Sequence, residues 1–342
     1  MACLSKREFL KGSLATAVAT GSGRSIGADE PKSVFMVLWR GETEVEDGFY
    51  AHFAEGGMPL NFIVRSLDRD PDRLPDILAE IESVAPDLVY TWGTTVTLGI
   101  AGRDPFLASS AQDYPPRVTD RPIVFTMVSQ PVKSRIIPAF GPTGRNVTGV
   151  SHIVPLKTQF RAMQSYMPID RVATIYTPTE SNSVLVVEQL INLGRRLNIR
   201  INDFPVPLDA DGNPDPDSLP GLVQAAAETG PQFLYLGPDS FIGQYARQIT
   251  ELANLRSLPS FASTEVMLAS SDALFGLVAP YEKVGRFTAS KVERVLFGNE
   301  PAERIPVEVL PEFSYQIRAD VARDLEIYPS LSLLDYAEVI GQ

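Results

Sequence analysis

Two polar stretches carry the side chains best suited to hold a small polar molecule. Thr94-Thr95 and residues 180–183 (ESNS) each come shortly after a strand-like apolar run. Hydroxyl groups beside the free backbone N–H groups of a starting helix can bind a carboxylate or a similar head group. Ordinary capping of the helix by the same side chains is the alternative interpretation.

Acidic and aromatic residues near other predicted strand ends complete a candidate binding site. Asp239 and Glu265 could pair with a ligand ammonium group, while Trp39, Phe241 and Tyr281 could stack on its apolar part or simply pack in the core. The candidate ligand-binding residues are Trp39, Arg40, Thr94, Thr95, Ser129, Gln130, Glu180, Ser181, Asn182, Asp239, Ser240, Glu265 and Tyr281.

The sequence offers little material for catalysis. Cys3 is the only cysteine, and the only two histidines, His52 and His152, lie far apart and are predicted to be surface or loop residues. No G-x-G-x-x-G follows a predicted strand, and no P-loop lysine occurs. We therefore predict no catalytic residues, no metal site and no cofactor.

A repeat indicates the elements that position these side chains. LPDILAEIESVAPDLVY at residues 74–90 matches LPGLVQAAAETGPQFLY at residues 219–235 without gaps. In both, apolar residues recur at helical spacing, and Pro86 or Pro231 then precedes a strand-like run. Strands alternate with amphipathic helices on both sides, which predicts an α/β fold of two Rossmann-like lobes with parallel sheets. A chance match between two common α/β units is the alternative.

The net charge narrows the possible partners, and the length indicates the number of domains. The formal net charge of −12 disfavours binding to nucleic acid or to an anionic lipid surface. Without its first residues the chain still has about 310, enough for two domains of ordinary size. We predict no nucleic-acid partner.

The N-terminus has the pattern of an export signal. A basic stretch, SKREFLKG at residues 5–12, precedes a weakly apolar run at residues 14–19, and small residues stand at 26–28. The apolar run is too short to span a bilayer, which needs about 20 residues. We predict that residues 1–28 are a cleaved signal peptide and that the protein is periplasmic. A basic tail on a cytosolic protein is the alternative.

The export route stays open. Residues 5–11 resemble the twin-arginine motif, but Lys6 stands in place of the first arginine.

Five motifs carry a family resemblance. They are PDLVYTWGT (86–94), PIVFTMVSQPV (122–132), GRNVTGVS (144–151), IYTPTESNSV (175–184) and RADVARDLEIYPSLSLLDYAEVI (318–340). Through them, residues 33–340 resemble the ABC transporter substrate-binding protein family, of the tryptophan or amino-acid type, which has the type I periplasmic binding protein fold. The resemblance implies a three-segment hinge between a lobe of residues 33–148 plus 278–306 and a lobe of residues 149–277 plus 307–342.

The sequence departs from the family pattern at places that affect ligand choice. Gln130 stands where the family usually has an aspartate after the serine, and Ala279-Pro280 precede Tyr281 where an acidic residue is common. These departures weaken the expectation of a ligand ammonium group. The loop at residues 103–121 is longer than is usual in the family. We expect it to cover the cleft, to contact a partner or to be a plain surface insertion.

The resemblance implies an extracytoplasmic solute-binding protein of a bacterial ABC importer. It would be a monomer that binds a small polar or amino-acid-like solute, with aromatic solutes included, and would deliver it to an ABC permease in the inner membrane. A ligand-sensing subunit for a membrane kinase shares the same features and is the first alternative. An α/β enzyme, which the fold alone also permits, is the second.

Overall fold

The computed structural model describes residues 31–107 and 114–341. The predicted signal peptide, residues 1–28, lies outside the described residues, and so does the middle of the predicted loop at residues 103–121. Residues Lys32–Gln342 form one structural unit. Its described part contains two sheets with helices on both faces, which confirms the predicted fold class.

The first sheet contains six parallel strands. They are β1 (Lys32–Leu38), β2 (Leu60–Ser66), β3 (Leu88–Trp92), β4 (Ile123–Thr126), β5 (Val147–Ser151) and β11 (Glu308–Val309), in the order β11-β5-β4-β3-β1-β2. Successive residues of β1 alternate between two cores, with Met36 packing on one face and Val37 on the other. The inner strands β3 and β4 are mostly apolar because both of their faces are buried, whereas the edge strands β2 and β11 are only partly buried.

The second sheet contains seven strands. They are β6 (Arg171–Tyr176), β7 (Arg200–Pro205), β8 (Phe233–Leu236), β9 (Ser260–Ala262), β10 (Phe275–Val278), β12 (Ser314–Arg318) and β13 (Ala337–Ile340), in the order β13-β12-β10-β9-β8-β6-β7. All neighbouring pairs are parallel except β10 with β12. In β6, Val172 and Ala173 likewise pack into separate cores.

Helices cover both faces of each sheet. Those on the first sheet are α1 (Glu44–Glu55), α2 (Leu74–Val84), α3 (Thr94–Ala101) and α10 (Tyr281–Leu296). Those on the second are α4 (Leu156–Gln164), α5 (Ser181–Leu197), α6 (Leu219–Glu228), α7 (Ser240–Gln244), α8 (Ala246–Asn254), α9 (Glu265–Ala269), α11 (Ala319–Asp324) and α12 (Leu331–Leu334).

Two glycines let α1 and α10 pack closely. A Cβ on Gly48 of α1 would overlap the carbonyl oxygen of Glu282, and a Cβ on Gly285 of α10 would overlap that of Val45. The two backbones therefore touch, and α10 is held rigidly against the first sheet with its first residue, Tyr281, at the sheet's edge.

The sequence repeat corresponds to a structural repeat. Its copies form α2 followed by β3, and α6 followed by β8, as predicted. The similarity also extends upstream, because Asp70 and Asp215 each cap a short 3-10 turn and accept a 3.0 Å hydrogen bond from the N–H two residues later. Since β3 lies beside β1 and β8 beside β6, the copies have equivalent places in the two sheets.

The chain passes between the sheets three times. The passages follow β5, which ends at Ser151, β10, which ends at Val278, and β11, which ends at Val309. The predicted boundary at residues 148–149 falls inside β5, whose buried residues remain in the first sheet. The predicted boundary at residues 306–307 precedes β11, which pairs with β5, so the first sheet keeps this segment too.

A buried lysine anchors the third passage. The Lys291 side chain on α10 is 1% exposed. It donates to the carbonyl oxygen of Pro306 at 2.7 Å and to the Glu308 carboxylate at 2.7 Å. The segment that enters β11 is thereby fixed to α10. A fully buried ammonium group requires such partners.

In the described part of the chain, no helix is both long enough and apolar enough to cross a membrane. The described ends of the loop at residues 103–121 pack beside the end of α3. There the Arg103 N–H donates to the carbonyl oxygen of Tyr114, and the Arg117 N–H donates to that of Ile100.

Candidate functional site

A cleft lies where the carboxyl ends of strands from both sheets meet. Open α/β sheets bind ligands at this edge. The lining residues are Trp39, Arg40, Trp92, Gly93, Thr94, Thr95, Met127, Ser129, His152 and Tyr281 from the first-sheet side, and Glu180, Asn182, Pro238, Asp239, Ser240, Gly243, Thr264, Val266 and Met267 from the second-sheet side.

The structure brings most of the predicted site residues together. Ten of them line the cleft: Trp39, Arg40, Thr94, Thr95, Ser129, Glu180, Asn182, Asp239, Ser240 and Tyr281. Gln130, Ser181 and Glu265 do not line it. None of the described residues of the loop at 103–121 lines the cleft either.

Two of the three outlying residues make contacts between the two sides of the cleft. The Gln130 side-chain oxygen, on the first-sheet side, accepts a 2.6 Å hydrogen bond from the Gln189 amide of α5. The Glu265 carboxylate accepts a 2.5 Å hydrogen bond from the backbone N–H of Tyr281, at the start of α10. Ser181 is exposed at the start of α5. Because the Glu265 carboxylate lies outside the lining and accepts from the start of α10, its pairing with a ligand ammonium group stays a prediction.

The start of α3 presents hydrogen-bond donors to the cleft. Gly93 is the N-cap residue and has no side chain to accept from the first-turn N–H groups. Its φ of 85° lies in the left-handed region, which glycine adopts without strain. The Thr94 side chain is buried, and its hydroxyl has no hydrogen-bond partner among the described residues. This helix start can therefore receive an anionic group.

Arg40 places a positive charge at the same end of the cleft. Its guanidinium carbon lies 5.2 Å from the centre of the Trp92 ring. It forms no hydrogen bond or ion pair with any residue that the structure describes. Stacking on the indole ring holds the guanidinium in place while leaving its N–H groups free for a ligand.

Sequence reasoning missed Trp92 and His152 as site residues. Trp92 ends β3, and its buried indole Nε1 has no partner among the described residues. His152 directly follows β5 in a loop, which is one of the two places predicted for it, and is 4% exposed. Burial, and to a smaller degree the charge of Arg40, lower the pKa of His152 to about 3, which keeps the ring neutral. Trp92 ends a predicted strand, which is the signal that could have identified it, whereas no strand was predicted directly before His152.

The carboxylate of Asp239 is occupied by the protein. It accepts hydrogen bonds from the Thr177 N–H (2.7 Å), the Thr177 hydroxyl (2.9 Å), the Ser183 hydroxyl (2.7 Å) and the Ile242 N–H (2.9 Å). Four bonds use the acceptor capacity of a carboxylate. Asp239 therefore holds the β6–α5 and β8–α7 loops together, and its proposed pairing with a ligand ammonium group is not what this geometry supports.

Glu180 also caps a helix. Its carboxylate accepts from the backbone N–H groups of Ser240, at 2.9 Å, and Phe241, at 3.1 Å. Burial, and next the nearby charge of Asp239, raise the pKa of Glu180 to about 7. From the first turn of α5, Asn182 donates its amide to the carbonyl oxygen of Pro238 at 2.9 Å. On the second-sheet side of the cleft, Glu180, Asn182 and Asp239 thus serve mainly to stabilise loops.

The chemistry of these groups suits an anionic group attached to an apolar body. The unpaired polar atoms of the cleft include the Arg40 guanidinium, the Trp92 Nε1 and the Thr94 hydroxyl. Trp39, Met127, Val266 and Met267 supply apolar surface. The described residues contain no cluster of three or more histidine, cysteine or acidic residues able to hold a metal ion.

A family model and a characterised relative match the chain. The model described as "ABC transporter substrate binding protein" matches residues 69–340. A tyrosine-binding protein of Clostridioides difficile is 26% identical over 219 residues, which are 64% of this chain and 61% of the relative. The match thus spans less than two thirds of that relative's length.

Solved structures share the fold. A conserved domain protein from Vibrio cholerae superposes with a TM-score of 0.74 at 20% identity, covering 91% of this chain and 99% of that one. An ABC domain in complex with L-Trp from Streptococcus pneumoniae superposes with a TM-score of 0.73 at 18% identity, covering 90% of this chain and all of that one. At these identities the likeness establishes the architecture alone.

Proposed function

The chain belongs to the ABC transporter substrate-binding protein family, and from this we propose that it binds a small amino-acid-like solute between its two sheets. The family consists of binding proteins rather than enzymes. The proposed solute has a carboxylate head and an apolar, preferably aromatic, body. We place the protein in the periplasm as a monomer that hands its solute to an ABC permease in the inner membrane.

The single observation that supports this function most strongly is the group of free donors at one end of the cleft. Arg40, Trp92 and Thr94 come from two neighbouring strand ends, and none of these side chains has a hydrogen-bonding partner within the described residues. Buried polar groups in folded proteins almost always have partners. A carboxylate is the group that three converging donors, one of them charged, bind best.

The rest of the cleft suits an apolar body. Trp39, Val266 and Met267 line it from both sides, so a ring between them would lose water on both faces. A relative that is named for tyrosine and a neighbour that holds L-Trp agree with an aromatic body.

The residues that line the cleft come from both sheets. This supports a mechanism in which one sheet moves against the other to capture and release the solute. A solute that contacts both sides stabilises the closed arrangement by its differential affinity. The three chain passages would then act as the hinge. The permease would recognise the closed form.

Substitution of Arg40 tests the carboxylate assignment. We expect Arg40→Gln to weaken binding of L-tryptophan, L-tyrosine or their carboxylate analogues about 10- to 100-fold, since a charged hydrogen bond contributes about 1.5–3 kcal/mol. Isothermal titration calorimetry on the purified protein measures this change.

The matched control is Arg256→Gln. Arg256 follows α8, far from the cleft lining, and donates to the carbonyl oxygen of Leu252. The Arg256→Gln substitution should leave the affinity for these solutes unchanged. If Arg40→Gln binds these solutes as tightly as the unmodified protein, the assignment fails.

A further inference from the structure

The carboxylates of the cleft are committed to the protein. Asp239 receives four hydrogen bonds from Thr177, Ser183 and Ile242, so it has little capacity left for a ligand. Glu265, the other acid expected to face a ligand, lies outside the lining and caps α10. Asp239 therefore has no acceptor site left for a direct hydrogen bond to a ligand ammonium group, and Glu265 does not face the cleft.

Glu180 is the remaining acidic residue of the lining. Two backbone N–H groups, those of Ser240 and Phe241, already use part of its carboxylate. Burial first, and then the charge of Asp239, raise the pKa of Glu180, so both disfavour its ionised form. It is a weak counter-ion for a ligand ammonium group.

The other polar groups of the cleft are donors or neutral. Arg40, the Trp92 Nε1 and the first-turn N–H groups of α3 can only donate. His152 is neutral and offers at most one acceptor nitrogen. The Asn182 amide is already engaged with Pro238. The cleft therefore compensates a negative charge well and a positive charge poorly.

We infer that the preferred solute carries a carboxylate but no charged amino group, and is a monocarboxylic acid with an aromatic or branched apolar body. This inference rests on the proposed function and narrows its ligand class. An ammonium group moved from water into the cleft would lose its hydration without gaining a full counter-charge, and that cost opposes binding. The corresponding acid makes the same carboxylate and apolar contacts without this cost.

Matched pairs of solutes test the inference on the purified protein. The pairs are L-phenylalanine with 3-phenylpropionate, L-tyrosine with 3-(4-hydroxyphenyl)propionate, and L-tryptophan with indole-3-propionate. Calorimetric titration at pH 7.5 is expected to show that the acid binds at least about tenfold more tightly in the best-binding pair, a difference of about 1.4 kcal/mol.

The outcomes separate this inference from the proposed function. Equal or tighter binding of the amino acids would overturn the inference and leave the proposed function standing. Binding of neither member of any pair would overturn both.

A substitution that adds a carboxylate provides a second test. Asn182→Asp introduces an acidic group of nearly the same shape in the cleft, and we expect the ratio of acid to amino-acid affinity to fall at least about fivefold, within the usual range of a charge contact. Asn192→Asp, an exposed position on the same helix outside the cleft, is the matched control and should leave the ratio unchanged. Thermal unfolding establishes that both variants fold. An unchanged ratio in folded Asn182→Asp would overturn the inference.

Discussion

His152 illustrates how surroundings decide the role of a residue. It directly follows β5, is almost completely buried, and packs edge-on against the Tyr281 ring with the centroids 6.3 Å apart. Its Nδ1 has no partner within the described residues. A titratable ring held neutral in this way makes the stability of the protein depend on pH.

We expect stability to fall on acidification because of His152. Its pKa in the folded protein, about 3, lies below the ordinary value of 6.5. Between these values the unfolded chain binds more protons than the folded chain, so protonation favours unfolding as the pH decreases. At pH 5 the loss is about 2 kcal/mol relative to neutral pH.

Urea unfolding of the ligand-free protein at pH 7.5 and pH 5 measures this loss, and His152→Asn should reduce it by about the same 2 kcal/mol. Burial raises the pKa of Glu46 and of Glu265, and these groups act in the opposite direction. The difference between the losses of the variant and of the unmodified protein therefore isolates the contribution of His152. Equal losses in the two proteins would contradict the expectation.

At the residue scale, position relative to a strand was predictable but the partner of each side chain was not. Ligands bind where parallel strands end, and this rule led us to select Thr94, Asn182 and Ser240, which line the cleft. It did not reveal that the Asp239 carboxylate is used by Thr177, because that contact joins residues distant in sequence. Nor did it reveal the burial of His152, which depends on tertiary packing.

At the element scale, the repeat was the most reliable guide to the fold. Apolar residues at helical spacing after Leu-Pro, followed by a proline-led strand, correctly predicted α2 with β3 and α6 with β8. The ends of β5 and the two-residue β11 were not predictable, since pairing between residues far apart in sequence determines them. The close contact of α1 with α10 was not apparent from the sequence either.

The contact between α1 and α10 gives a prediction at this scale. Gly285→Ala should destabilise the protein by about 1–3 kcal/mol, because the added Cβ overlaps the backbone of α1 and forces the helices apart. Gly221→Ala is the matched control. It lies in α6, where a Cβ would meet nothing within 4 Å, and should stabilise the helix by up to about 1 kcal/mol.

Thermal unfolding of both variants measures the two effects. Similar melting temperatures for Gly285→Ala and Gly221→Ala would contradict this account of the helix contact.

At the scale of the whole molecule, we expect contacts between the two sides of the cleft to contribute to solute affinity without touching the solute. Gln130 and Gln189 form such a contact outside the cleft lining. Because the proposed closure forms this bond, part of its free energy adds to solute affinity.

A double-mutant cycle tests this contribution. Gln130→Ala and Gln189→Ala should each weaken solute binding about two- to fivefold, the value of a single neutral hydrogen bond, and the double variant should be no weaker than either. Calorimetric titration of the four proteins with the best-binding aromatic solute measures the coupling. Additive effects, or none, would show that the two side chains do not act as a pair in closure.

The anchoring by Lys291 shortens the free part of the third passage between the sheets. Pro306 and Glu308 are fixed to α10, and the Leu310 N–H donates to the carbonyl oxygen of Ser151 in the first sheet. Only residues 311–313 remain as an unanchored connection before β12 begins in the second sheet. In the proposed movement, so short a tether would act as a mechanical stop, and we expect its length to limit the width of the entrance and thus the size of the solute that can enter.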